Sequence, residues 1–179
     1  IVIGGTGTIG SAVVKRLSTR HDVVTVGHKR GTYQVDLAST DSIASLFKTI
    51  GTCDAVVSTA GIAKFASLDD LTYDDYFIGL KNKLMGQANL VRIGRPFVTN
   101  HGSFTLTSGV LSQEPMKGSC AISMANAGLE GFVRAAAIEV DQNITRLGAF
   151  ARANDAAFFQ LVHDAGRAAV TEAQSALQQ

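Results

Sequence analysis

The stretch that decides the fold is IVIGGTGTIG, residues 1–10. It opens with an apolar run typical of a strand buried on both faces, and a helical apolar pattern begins before it ends. The glycines between strand and helix allow a pyrophosphate to approach the free N–H groups of the helix. The pattern predicts a dinucleotide site, with a plain tight turn as the alternative. We assign to that site Gly4, Gly7, Thr8, Ile9 and Gly10.

The rest of the chain alternates short apolar runs with helical patterns. Strands are predicted at 22–26, 33–35, 53–58 and 102–108, and helices at 9–17, 39–50, 72–92 and 119–140. Such alternation calls for a parallel sheet covered by helices. The sequence therefore predicts an α/β fold: a doubly wound parallel sheet with helices on both faces, in three layers. We expect a single domain over 1–179, with 145–179 as a divergent helical tail that adds no strand.

Composition excludes several classes of protein. Hydrophobic residues make up 46% of the 179, charged residues 17%, and the formal net charge is +1. A chain this apolar does not stay disordered, and one this neutral has no global field to attract nucleic acid or an anionic membrane. No apolar run reaches the length of about 18 residues that a membrane-spanning helix needs. Two cysteines suit a reducing compartment, so we expect a cytoplasmic protein without a secretory leader. The histidine spacing predicts no metal site.

The end of the second strand indicates which cofactor binds. A site for NAD has an acidic residue there to read the ribose, whereas a site for NADP has basic residues near the 2′-phosphate. This chain has Gly27-His28-Lys29-Arg30, three basic side chains and no acid. The segment predicts NADP(H), with a solvated basic turn as the alternative.

With these motifs in order, the chain resembles the short-chain dehydrogenase/reductase family over about residues 1–140. Asp36-Leu37 is similar to the acidic–apolar pair that borders the adenine, and Ser58-Thr59-Ala60-Gly61 stands where the family has Asn-Asn-Ala-Gly. Ser108 is similar to the serine that closes the fifth strand. The resemblance implies a Rossmann-like fold, a homodimer or homotetramer, and cofactor contacts from Asp36, Leu37, Ala60 and Gly61.

The resemblance breaks down at the catalytic Tyr-x-x-x-Lys of the family. Alignment on Leu129-Glu130-Gly131 puts Ile122 at the tyrosine and Asn126 at the lysine. On the preceding long helix, Lys83 stands at the family's asparagine. The amine and the amide have thus exchanged helices, and we predict Ser108, Lys83 and Asn126 as catalytic residues. The alternatives are a surface lysine, a mid-helix asparagine and a plain strand-end serine.

Two functions follow as hypotheses. The first is an NADP(H)-dependent oxidoreductase that transfers hydride to or from a small carbonyl or alcohol. In it Ser108 hydrogen-bonds the substrate oxygen, Lys83 stabilises negative charge or donates a proton, and Asn126 positions the ribose or a water. The second is a catalytically inactive NADP-binding sensor or scaffold, which the loss of Tyr-x-x-x-Lys favours.

Overall fold

The computed structural model describes residues 1–140 and the backbone of Arg146–Phe150. Its six strands are β1 (Val2–Ile3), β2 (Thr25–Gly27), β3 (Tyr33–Gln34), β4 (Cys53–Ser58), β5 (Val98–Thr107) and β6 (Arg146–Phe150). They form one sheet in the order β3-β2-β1-β4-β5-β6, and every neighbouring pair is parallel. This order confirms the predicted doubly wound α/β sheet.

Helices connect the strands. They are α1 (Thr8–Leu17), α2 (Thr40–Ile50), α3 (Tyr73–Gly79), α4 (Gly86–Gly94) and α5 (Cys120–Val140). The chain moves one way along the sheet from β1 to β2 and the other way from β3 to β6. Right-handed crossovers therefore place α1 on one face and the later helices on the opposite face. No helix in the described part of the chain is long and apolar enough to cross a membrane.

The core lies between the sheet and the helices of the later crossovers. Ile3, Val26, Val56, Phe104 and Leu106 reach it from the strands, and α2 contributes Ile43, Leu46 and Phe47. Close approach of α2 to α4 depends on Gly94, because a Cβ there would lie 2.3 Å from the Phe47 ring. Burial of these side chains fixes the carboxyl ends of the strands, where the candidate site residues lie.

The prediction of a single α-helix over 72–92 is wrong in the middle of that range. Between α3 and α4 the backbone adopts a π-helical segment, Leu80–Met85, so the helix widens for one turn and then continues. Such segments are rare and are frequently found at functional sites. Apolar spacing did not reveal it, because the pattern on either side is helical.

The prediction that 145–179 adds no strand is also wrong. Arg146–Phe150 forms β6 at the edge of the sheet and pairs in parallel with β5, with Ser103 opposite Arg146 and Thr107 opposite Phe150. The segment has no β-branched residue, so its strand conformation comes from the exposed edge of β5 rather than from local propensity. The predicted helices of 151–179 lie outside the described residues, and the single domain over 1–179 stays a prediction.

Candidate active site at the carboxyl ends of the strands

The strand order reverses between β1 and β4, and we call the point at the carboxyl ends of these two strands the glycine crevice. Gly4 follows β1 with φ +79°, and a Cβ there would lie 2.9 Å from the backbone nitrogen of Ala60. Thr59 hydrogen-bonds across the crevice, because its Oγ1 donates to the Ile3 carbonyl at 3.2 Å. Open α/β sheets bind ligands at this reversal point. The structure therefore brings the glycine motif and Ala60 together.

The N-terminus of α1 is free to receive an anion. The N-cap is Gly7, which offers no side-chain cap, and the first turn contains no acidic residue. Gly7, Thr8 and Ile9 are exposed, whereas Gly10 is buried. A Cβ on Gly10 would lie 2.0 Å from the Gly4 carbonyl oxygen, so this glycine lets the turn close on the helix. Uncapped N–H groups and the positive helix end fit a pyrophosphate.

The adenosine-side residues lie on the turns after β2 and β3. His28, Lys29 and Arg30 are all exposed, and no acidic side chain of the described residues pairs with Lys29 or Arg30. The Asp36 carboxylate accepts a hydrogen bond from the Ala38 N–H at 2.9 Å, which fixes its orientation. The Leu37 side chain is in the core, so only its backbone is available to a ligand.

The π-helical segment turns Lys83 towards the end of β5. Its stem crosses Gly61, where a Cβ would lie 2.6 Å from Lys83 Cγ. Its Nζ donates to the Ser108 carbonyl at 3.3 Å. Burial lowers the pKa of Lys83 below its ordinary value, because desolvation disfavours the ammonium form. Lys83 is thus partly buried and held against the end of β5, unlike a solvated surface lysine.

Asn126 approaches the same point from α5. Its Nδ2 lies 3.5 Å from the Gly109 carbonyl, and Gly109 makes room, since a Cβ there would be 2.9 Å from that nitrogen. The Oδ1 of Asn126 is buried and has no hydrogen-bond partner. A buried acceptor without a donor costs folding free energy unless a ligand donates a hydrogen bond to it. Together with the glycine crevice, this unpartnered oxygen fits a ligand that carries a hydroxyl group, as a dinucleotide does.

Ser108 is buried at the end of β5, and its hydroxyl faces α5. Ser108 Oγ donates to Glu130 Oε1 at 2.6 Å and lies 3.2 Å from the Asn126 carbonyl. The same carboxylate oxygen accepts from the Ser112 hydroxyl. The sequence patterns did not indicate Glu130 as a site residue. The available signal was its position one turn after Asn126 on the same helix, which places both on one face.

The tyrosine of the family's catalytic pair has no substitute in this cluster. Ile122 lies one turn before Asn126 on α5 and is partly buried. The three tyrosines lie on other elements: Tyr33 on β3, and Tyr73 and Tyr76 on α3. None of them hydrogen-bonds to Lys83, Ser108 or Asn126 within the described residues. Another group must therefore supply any proton that the chemistry needs.

Comparisons with known proteins agree with this geometry. A family profile described as "Enoyl-(Acyl carrier protein) reductase" matches residues 9–151. Carbonyl reductase family member 4 of Danio rerio is 28% identical over 161 residues, covering 78% of this chain and 68% of that protein. The solved structure of the protein lin1944 from Listeria innocua is 32% identical with a TM-score of 0.82, covering 97% of this chain and 89% of that one.

A further solved structure shows the fold alone. It is a small-chain dehydrogenase in complex with NADPH, 24% identical with a TM-score of 0.77, and covers 99% of this chain and 90% of that one.

The sheet order, the glycine crevice and the profile match over most of the chain lead to one conclusion, which confirms the resemblance. The chain belongs to the short-chain dehydrogenase/reductase family, a family of oxidoreductases that use a nicotinamide cofactor on small-molecule substrates.

Proposed function

We propose that the protein is an NADP(H)-dependent oxidoreductase that acts on a small carbonyl or alcohol. The convergence of Lys83, Ser108 and Asn126 beside the glycine crevice carries the proposal. A nicotinamide held there supplies or accepts hydride. The relative in Danio rerio is by its name a carbonyl reductase, which supports the substrate class.

The residues divide the work by their chemistry. Gly4, Gly7, Thr8, Ile9 and Gly10 form the pyrophosphate cradle. Asp36, the Leu37 backbone, Ala60 and Gly61 border the adenosine and ribose. Asn126 Oδ1 accepts a hydrogen bond from a hydroxyl of the bound ligand. Lys83 places a positive charge where negative charge develops on the substrate oxygen.

The preference for NADP(H) is tested at the basic turn. Replacing Lys29 and Arg30 by alanine removes two donors to the 2′-phosphate, and each such bond is worth about 1.5–3 kcal/mol. We expect NADPH affinity to fall by at least about tenfold, with NADH affinity unchanged. Removing two charges at the other end of α1, with Lys15→Ala and Arg16→Ala, is the matched control. Equal affinity of the parent for NADPH and NADH would contradict the proposal.

The catalytic role is tested at Lys83. Lys83→Met keeps the apolar stem over Gly61 and removes the charge, so the fold should be kept while turnover falls. Losing one preorganised electrostatic group costs about 10²–10³ in rate. The measurement is NADPH oxidation with a panel of small aldehydes and ketones. Unchanged turnover in Lys83→Met would remove this residue from the site.

The second candidate is an inactive NADP-binding sensor or scaffold. Ile122 at the tyrosine position favours it, because an aliphatic side chain cannot exchange a proton. The triple variant Ile122→Tyr, Asn126→Lys and Lys83→Asn restores the family's arrangement. If the parent binds NADPH but turns over no substrate, and the triple variant reduces carbonyls, the sensor is the correct function.

A further inference from the structure

We propose that Glu130 is a positioning residue that acts through Ser108, taking the proton of its hydroxyl and storing the proton that the reaction releases or consumes. The inference rests on the proposed function. It assigns to Glu130 and Ser108 the proton transfer that Ile122 cannot perform. It also gives a role to a carboxylate that reaches the candidate site without touching substrate.

The hydrogen-bond geometry defines what Ser108 offers. A serine hydroxyl has one proton and two acceptor positions. At 2.6 Å from Glu130 Oε1, against 3.2 Å from the Asn126 carbonyl, the proton of Ser108 points to the carboxylate. A hydrogen bond to an ionised acceptor is stronger than one to a carbonyl. Ser108 therefore presents lone pairs to a substrate and favours a hydroxyl group that can donate to it.

The surroundings of Glu130 suit a proton store. No lysine or arginine of the described residues pairs with its carboxylate. Two hydroxyls, from Ser108 and Ser112, satisfy one of its oxygens instead. Two charged residues lie on the elements around it: Lys83 contacts the Ser108 carbonyl, and Arg134 is one turn further along α5. Glu130 is partly exposed, so a proton that it takes up can pass to water.

The relay balances in both directions. When an alcohol is oxidised, a bound nicotinamide would accept the hydride of its C–H bond as the C=O bond forms. The alcohol proton passes to Ser108 Oγ while the serine's own proton passes to Glu130 Oε1. In carbonyl reduction Glu130 returns its proton to Ser108, which protonates the new alkoxide. Lys83 gives up no proton in this scheme and donates a hydrogen bond to that alkoxide.

The first test measures turnover and its pH profile. Glu130→Gln keeps the size and removes proton acceptance, and Glu139→Gln makes the same change at an exposed position of α5. With cyclohexanone and cyclohexanol as probes, we expect Glu130→Gln to lose about 10²-fold in both directions. Its profile should flatten because no carboxylate remains in the relay. Glu139→Gln should match the parent, and all three should bind NADPH equally.

The second test needs neither cofactor nor substrate. Ser108→Cys, in a background where Cys53 and Cys120 are alanine, reports on the charge that faces position 108. The ultraviolet absorbance of the thiolate gives its titration midpoint. A carboxylate at hydrogen-bond distance opposes thiolate formation, so adding Glu130→Gln should move the midpoint of Cys ionisation down by about one pH unit or more. Adding Glu139→Gln should leave it in place.

The outcomes separate this inference from the function beneath it. A parent that turns over the probes while Glu130→Gln keeps parental rate and pH profile overturns the relay alone. A thiolate midpoint that Glu130→Gln does not move overturns it as well. A parent that binds NADPH and turns over no carbonyl or alcohol overturns the proposed function and the relay together. Loss of rate with a lowered midpoint supports both.

Discussion

At the residue scale, two glycines of one motif have different tasks. Gly10 is buried, and any Cβ would meet the Gly4 carbonyl at 2.0 Å, so it is required for the turn itself. Gly7 is exposed at φ −86°, and its nearest neighbour to an added Cβ is the Gly4 oxygen at 3.3 Å. A Cβ at Gly7 thus requires the Gly4 carbonyl to shift by only a few tenths of an ångström. Its absence leaves room for a phosphate.

Alanine at each glycine separates folding from binding. We expect Gly10→Ala to cost about 1–3 kcal/mol of unfolding free energy, since backbone must shift. Gly7→Ala should cost less unfolding free energy than Gly10→Ala, because the Gly4 carbonyl needs a smaller shift, yet it should weaken NADPH binding by about tenfold or more. Urea denaturation and fluorescence titration measure the two effects. Parental NADPH affinity in Gly7→Ala would show that no phosphate lies against this turn.

At the element scale, the long helix before β5 depends on its first turn. Thr72 and Asp75 form a capping box in which each side chain accepts a hydrogen bond from the other's backbone N–H. The bonds from the Thr72 N–H and hydroxyl lower the pKa of Asp75, and Lys64 adds a smaller effect. This box anchors the start of α3. The π-helical segment that carries Lys83 follows it directly.

The lowered pKa predicts how the stability of this element depends on pH. Because the folded pKa of Asp75 lies below its ordinary 3.8, its contribution is complete above that pH and is lost as pH falls through the folded value. We expect Asp75→Asn to lower the melting temperature at pH 7 by about 2 °C. The difference in melting temperature between Asp75→Asn and the parent should disappear below pH 3.8. Asp74→Asn, exposed in the same turn, is the control; an equal gap for both variants would leave only a helix-dipole effect.

At the scale of the whole molecule, assembly remains a prediction. The family resemblance implies that the long helices pack against a second copy in a four-helix bundle. Five large apolar or aromatic side chains of the described part of these helices are exposed: Tyr73, Ile78, Met85, Met124 and Ile138, the last at 83%. Exposed apolar side chains of this size on long helices suit an isologous interface.

Sedimentation velocity checks that assembly. We expect a dimer or tetramer at micromolar concentration, because burial of a large aliphatic side chain contributes about 1.5–3 kcal/mol. Ile138→Glu should shift the protein towards monomer by about tenfold or more in the dissociation constant. Leu68→Glu changes another exposed apolar residue, in the loop before α3, and should have no effect. A parent that sediments as a monomer would refute the interface.

The sequence by itself determined β1, the glycine turn and α1, because their conformation depends on neighbouring residues: apolar strand, permissive glycines, free helix end. It also determined the parallel sheet, through the alternation of apolar runs with helical stripes. Only the tertiary structure decided β6, whose segment lacks β-branched residues and becomes a strand beside β5. It also decided the cluster at Glu130, since Ser108 lies 22 residues away. Contacts between distant segments depend on how the whole sheet packs, which no local pattern contains.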